Sequence, residues 1–281
     1  MITFDQVKAL REYLFKQKQA GRSIGLVPTM GALHAGHFAL ISASQKNNDL
    51  TVCSIYVNPK QFNEAADLKK YPRSLAQDKA QLKAMSCDVL FCPSDAEMYP
   101  QETKLQFDFG ALGSLMEGEH RPGHFNGVAT VVAKLFHQVK PDRAYFGQKD
   151  LQQYVIINQL VQDLSFDLEL ERIPIVREAD GLALSSRNEL LTYRQRQEAP
   201  QLFQALLLAA QHLERGESRS KTILSVEKLM KNYREIELEY FQIVNSTNLQ
   251  PLDDTAVEDD VALCIAAHVG EVRLIDNLII S

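Results

Sequence analysis

Apolar and polar positions along the 281 residues follow two rhythms in turn. Residues 4–19 carry apolar side chains at helical spacing and are closed by Gly21. Short apolar runs at residues 23–27, 50–57, 88–91, 143–146 and 168–176, each bounded by turn formers, read as strands, with Pro28 ending the first. Residues 74–85, 127–139 and 151–164 read as helices, and a further helix starts near Leu33. Strands alternating with helices over residues 1–176 predict an α/β domain, a parallel sheet with helices on both faces. From residue 177 the rhythm changes. Two long helices at 194–215 and 221–234 precede strand-like runs at 238–244, 261–267 and 272–275, which predicts a smaller α+β C-terminal domain with an antiparallel sheet over 177–281. Two such domains are expected to leave a cleft between them.

Composition narrows the class. A hydrophobic content of 45% supports well-formed cores, and a net charge of −6 with both signs dispersed argues against a nucleic-acid partner. No apolar run approaches the ~20 residues that span a bilayer, and the first residues lack the pattern of a secretory signal, so a cytoplasmic protein without a membrane partner is expected. Cys53, Cys87, Cys92 and Cys264 show no C-x-x-C spacing and read as reduced thiols.

The chemistry gathers where strands hand over to helices. His34 and His37 flank Gly36 after the first strand, three apart in the first turn of a helix, where free N–H groups and the dipole favour a phosphate. Asn58 and Gln61 follow the second strand with amides suited to a neutral or singly charged polar group, although Asn58-Pro59 alone reads as a turn. Lys149 precedes the helix at 151, against the dipole, which points to a nearby anion; Asp150 beside it also reads as a cap, and Gln153 lies one turn on. Ser185, Ser186 and Arg187 form a compact phosphate-binding set, or a capped helix start. Residues 121–127 read as a loop, either a plain connection into the next helix or a segment whose Arg121 and His124 contact a substrate. Two histidines, a lysine and an arginine without an acidic pair suit a polyphosphate. No P-loop, dinucleotide fingerprint or Ser-His-Asp order accompanies them.

These motifs in this order, Pro28 through His37, Asn58-Pro59-x-Gln61-Phe62, Tyr71-Pro72-Arg73, Arg121 through Phe125, Gly147 through Gln153, and Asp180 through Asn188, resemble the pantothenate synthetases of the His-x-Gly-His nucleotidyltransferase superfamily. The resemblance covers nearly the whole chain. It implies a Rossmann-like domain, a C-terminal domain that covers the site, and a homodimer. It also implies ATP, pantoate and β-alanine as substrates, a pantoyl adenylate intermediate, and Mg2+ accompanying ATP. Carried over by residue, His34, His37, Lys149 and Arg187 are catalytic. Met30, Gly147, Asp150, Val176, Ser185 and Ser186 join them in binding ATP. Gln61, Gln153, Asn58 and Met30 bind pantoate, and Asp78 is the metal position, with Gln77 where some relatives have a second acid. The rival within the superfamily, transfer of a nucleotidyl group to a phosphate acceptor, needs a basic acceptor site where this chain has amides. A regulator that only binds nucleotide is the other rival, and it could lose His34, His37, Lys149 or Arg187.

Overall fold

A computed structural model describes residues 1–63, 68–69, 71–254 and 260–280. The chain divides into two compact units, residues 1–147 with 156–173, and residues 148–155 with 174–281.

In the first unit the elements run β1 (Ile2–Phe4), α1 (Val7–Gln19), β2 (Ile24–Thr29), α2 (Ala35–Asn47), β3 (Leu50–Ile55), α3 (Leu75–Ala84), β4 (Val89–Phe91), α4 (Asp95–Met98), α5 (Glu117–His120), α6 (His124–Val139) and β5 (Arg143–Gly147). Helix α7 (Leu151–Asp163) and β6 (Glu169–Ile173) follow. The strands form a six-stranded sheet in the order β1-β4-β3-β2-β5-β6, and every pair is parallel. Successive strands step outward from β2 to β3 and β4, and the chain then returns to add β5 and β6 on the other side of β2. The topological switch therefore lies between β2 and β5, whose carboxyl ends are where an open α/β sheet binds ligands. Strands buried on both faces read as continuous apolar runs, and Leu26, Val27, Val52 and Cys53 are fully buried.

The structure departs from the sequence reading at the ends of elements. Ile2–Phe4 is a strand paired with Val89–Phe91, so α1 starts at Val7; three residues are too few to show a period. Pro28 lies within β2 rather than ending it. Strand β5 pairs with β2 at Gly25 and Leu26, so Pro28 sits beyond that paired stretch, where its missing N–H costs no ladder bond. Helix α6 begins at His124, not 127, because Gly123 at φ 80° turns the chain into it, and His124 is a helix residue rather than part of a loop.

The second unit contains α8 (Tyr193–Glu198), α9 (Gln201–Glu214), α10 (Arg219–Met230), β7 (Ile236–Asn245), β8 (Val261–Val269) and β9 (Val272–Ile280). The three strands form the antiparallel sheet β7-β8-β9, and its core joins Leu202, Leu206, Val226, Ile243, Leu263 and Ile265. The single helix expected over 194–215 is two helices, since Pro200 supplies no N–H to continue the first. Strand β9 runs five residues beyond the expected end at Ile275, through Asp276 and Asn277, whose buried polar groups find partners described below.

Candidate active site

In the first unit, β2 ends at Thr29 and the chain turns through Gly31 (φ 84°) and Ala32 (φ 50°) into α2. A positive φ is strained for alanine, so something must hold the turn. Asp78 of α3 does so. Its Oδ2 accepts from Ala32 N–H (3.1 Å), and its Oδ1 accepts from Leu33 N–H (2.9 Å) and Ser74 Oγ (3.3 Å), with the side chain buried. The helix expected near Leu33 starts instead at Ala35, with His34 as its N-cap. Gly36 N–H donates to His34 Nδ1 (3.1 Å) and His34 N–H donates to His37 Nδ1 (3.3 Å). Both Nδ1 atoms are acceptors, so each neutral ring carries its proton on Nε2. The two rings lie 4.1 Å apart and present those donors at the helix N-terminus, a pairing suited to an anion. A Cβ at Gly36 would fall 2.8 Å from His34 Cε1, so glycine here makes room for the imidazole.

A second group lies after β3. Asn58 is buried and every hydrogen-bonding position of its amide is used. Nδ2 donates to Gln61 Oε1 (3.2 Å) and Gly127 O (3.1 Å), and Oδ1 accepts from Lys60 N–H (3.3 Å) and Tyr99 OH (2.8 Å). Burial pushes the Tyr99 phenol well above its usual pKa, which keeps it a donor. Asn58 thereby fixes the Gln61 amide with Oε1 inward and Nε2 towards Met30 Sδ (3.0 Å). Sulfur is a weak acceptor, so the Gln61 NH2 keeps donor capacity for a ligand. His124 Nδ1 donates to Gln61 O (2.8 Å) and Arg121 Nη1 donates to His124 Nε2 (3.2 Å), so these two residues support the backbone of Gln61. Gly127 lets α6 approach, because a Cβ there would lie 2.3 Å from Lys60 O. Met30, His34, His37, Asn58, Gln61, Asp78, Arg121 and His124 thus form one connected set.

In the second unit, Lys149 sits in the 3-10 turn Gln148–Asp150 that follows β5 and its last residue, Gly147. The anion beside the lysine is Asp150, at 3.7 Å. Asn277 of β9 donates from Nδ2 to Gln148 O (2.9 Å) and Lys149 O (3.0 Å). Asp276 pairs with Arg177 through both guanidinium nitrogens (2.6 and 2.9 Å); burial pushes this carboxyl above its usual pKa and the guanidinium opposes the shift. Arg177 begins a hairpin in which Leu184 N–H donates to Val176 O (3.0 Å) and Arg177 bridges Ala183. The hairpin delivers Ser185, which caps the turn Ser186–Leu190 by accepting from Arg187 N–H (3.2 Å). Gln153 lies in the first turn of α7. Among the cysteines, burial pushes Cys53 well up and Cys87 and Cys92 to about 11, so none of these three is a thiolate nucleophile at neutral pH.

The model of the pantoate–β-alanine ligase family matches residues 2–279. The chain belongs to that family. Pantothenate synthetase from Bacteroides fragilis is 47% identical to the ligase over 276 residues, 97% of this chain and 96% of that one. The one from Cytophaga hutchinsonii is 43% identical over 284 residues, 100% and 99% of the two chains. The crystal structure of pantothenate synthetase from Thermus thermophilus matches with a TM-score of 0.92 at 43% identity over 99% of both chains. Pantoate–β-alanine ligase from Francisella tularensis, complexed with β-γ ATP and β-alanine, matches with a TM-score of 0.80 at 34% identity over 99% of this chain and 97% of that one. These structures bear out the parallel sheet with its helices and the small antiparallel C-terminal sheet. Among the described residues of the ligase no helix is long and apolar enough to cross a membrane.

Sequence reasoning passed over Asn277, Asp276, Arg177 and Tyr99. The signal for the first two was an acid and an amide interrupting the apolar run Leu274 to Ile280. Such residues in a buried strand need partners.

Proposed function

We propose that the ligase joins pantoate to β-alanine with cleavage of ATP to AMP and pyrophosphate, through a pantoyl adenylate. The observation that supports this reading most is the make-up of the side-chain sets. One unit holds a paired imidazole Nε2–H site at a helix N-terminus together with an oriented amide, and the other holds Lys149, Ser185, Ser186 and Arg187. They are donors and cations, suited to a triphosphate, and the buried thiols offer no acyl-enzyme route. In the first step the pantoate carboxylate, already ionised at neutral pH, attacks the α-phosphorus. A C–O–P bond forms, the bond from that phosphorus to the pyrophosphate breaks, and pyrophosphate leaves with the electron pair. No protein base is required, so acceleration comes from in-line placement and from donors facing the charge that develops on the leaving group. In the second step the neutral amine of β-alanine attacks the acyl carbon, AMP departs and the amine loses a proton.

In this reading His34, His37, Lys149 and Arg187 face the phosphates, with Met30, Gly147, Asp150, Val176, Ser185 and Ser186 completing the ATP set. Gln61 and Gln153 hold pantoate beside Met30. Asn58 acts by orienting Gln61, and Arg121 with His124 by steadying its backbone. Mg2+ belongs to the same reading as the companion of ATP, where it neutralises triphosphate charge. Three of the four lone pairs of the Asp78 carboxylate are engaged by protein donors, which leaves one for the metal, and phosphate oxygens and water would supply the rest. A homodimer and a cytoplasmic setting complete the reading. Oxygen-18 in the pantoate carboxylate tests it. Attack at the α-phosphorus leaves one labelled oxygen in AMP, whereas label in inorganic phosphate, with ADP as the nucleotide product, would overturn the adenylate.

A further inference from the structure

We infer that Asn277, in the last strand of the second unit, is a positioning residue for Lys149. The inference rests on the reading above in one respect, that Lys149 acts on the phosphates. A lysine side chain is long and flexible, so the backbone that carries it must be fixed if its ammonium is to meet a phosphate in one place. Lys149 stands in a turn of three residues between a strand and a helix. Asn277 ties that turn to β9. Its NH2 donates to two successive carbonyls of that turn, Gln148 O at 2.9 Å and Lys149 O at 3.0 Å, while its Oδ1 accepts from Gln148 Nε2 at 3.2 Å. The residue is 3% exposed. It is immobilised in turn: its backbone N–H donates to Asp276 Oδ1 (2.7 Å), its carbonyl accepts from Arg177 Nη2 (3.2 Å), and Arg177 is locked bidentately to Asp276. The same guanidinium donates to Gly181 O (3.1 Å) and lies 3.8 Å from the centre of the Phe203 ring. One buried network thus runs from the lysine turn through Asn277, Asp276 and Arg177 to the hairpin that leads to Ser185, Ser186 and Arg187. The clamp on the lysine turn is neutral. A carboxylate at position 277 would meet the carbonyls as one anion-like group facing another, and would also draw the ammonium back towards the protein.

A double-mutant cycle on the intact enzyme tests the assignment, with pyrophosphate release from ATP and pantoate as the readout. Lys149→Ala, Asn277→Ala and the double variant are compared, with amide hydrogen exchange followed over residues 148–151. Asn277→Ala is expected to lower kcat about tenfold, leave the KM for pantoate within about twofold, accelerate exchange in the turn, and add almost nothing to the loss already caused by Lys149→Ala. An equal fold-loss from Asn277→Ala in both backgrounds would show a general structural role and overturn the inference while leaving the catalytic reading of Lys149 intact. Near-normal turnover by Lys149→Ala alone would overturn the reading and the inference together. Should Asn277→Ala not fold, Asn277→Ser, which keeps one donor, takes its place in the same cycle and is judged by the same outcomes.

Discussion

Two basic turns of this ligase leave parallel strands for helices, and each is held from behind by one buried side chain of opposite hydrogen-bonding character. The histidine turn is held by Asp78, a carboxylate that accepts N–H groups from Ala32 and Leu33; the lysine turn is held by Asn277, an amide that donates to the carbonyls of Gln148 and Lys149. The difference follows from which backbone groups each turn presents to the buried side chain. A chain entering a helix through two residues of positive φ turns its N–H groups inward, where a carboxylate satisfies both. In the 3-10 turn that leads into α7, the groups within reach of the buried side chain are two carbonyls, and the Asn277 amide donates to both. Charge follows the same division. The histidine turn rests on a carboxylate, whereas the lysine turn rests on a neutral amide whose neighbour in β9, the Asp276 carboxylate, is paired with Arg177.

Removing each clamp should separate the two cases. Asp78→Ala strands two buried N–H groups at a strained turn and should cost about 3 kcal/mol of stability, read as a lower urea midpoint, with loss of activity. Gln61→Ala comes next. It removes the oriented NH2 and should weaken the use of pantoate by about tenfold in KM while ATP affinity stays nearly unchanged, and an equal loss of ATP affinity would take Gln61 out of the pantoate set. Asn277→Ala should cost only about 1 kcal/mol of stability, because a carbonyl that loses one of two lone-pair partners suffers less than an N–H that loses its one acceptor. Equal stability losses for Asp78→Ala and Asn277→Ala would break the comparison.

The smallest effect belongs to exposed charge on the same hairpin that Arg177 anchors. Arg196 donates to Asp180 (2.7 Å) and Glu178 (2.6 Å), and its hydrogen bond holds the Asp180 carboxyl below its ordinary value of 3.8. A carboxyl with a lowered folded pKa contributes stability above its unfolded pKa, and that contribution is lost as pH falls through the folded value. Asp180→Ala should therefore change stability by at most about 0.5 kcal/mol at pH 7, an effect that vanishes below the folded pKa and shrinks in high salt. Urea midpoints at pH 7 and pH 3 measure it, and a larger loss at the lower pH would contradict it.

Much of this protein was legible in its residues. Apolar runs of strand length alternating with helical spacing required a parallel sheet, and the later change of rhythm required a second, antiparallel one, because burial on two faces or one dictates those patterns. The ordered motifs from His34 to Arg187 carried the family. Tertiary structure decided the rest for a physical reason: a side chain's hydrogen-bonding role depends on the backbone it meets, and sequence spacing does not record that meeting. Asp78 lies 45 residues from Leu33, and Asn277 lies 128 from Lys149. Asn58 reads locally as a turn residue and becomes the group that aims Gln61 only when α6 brings Gly127 O against it. Strand β9 looked finished at Ile275 because an acid and an amide end most apolar runs. It continues to Ile280 because Arg177 and the carbonyls of the lysine turn, both remote in sequence, supply what Asp276 and Asn277 need once they are buried.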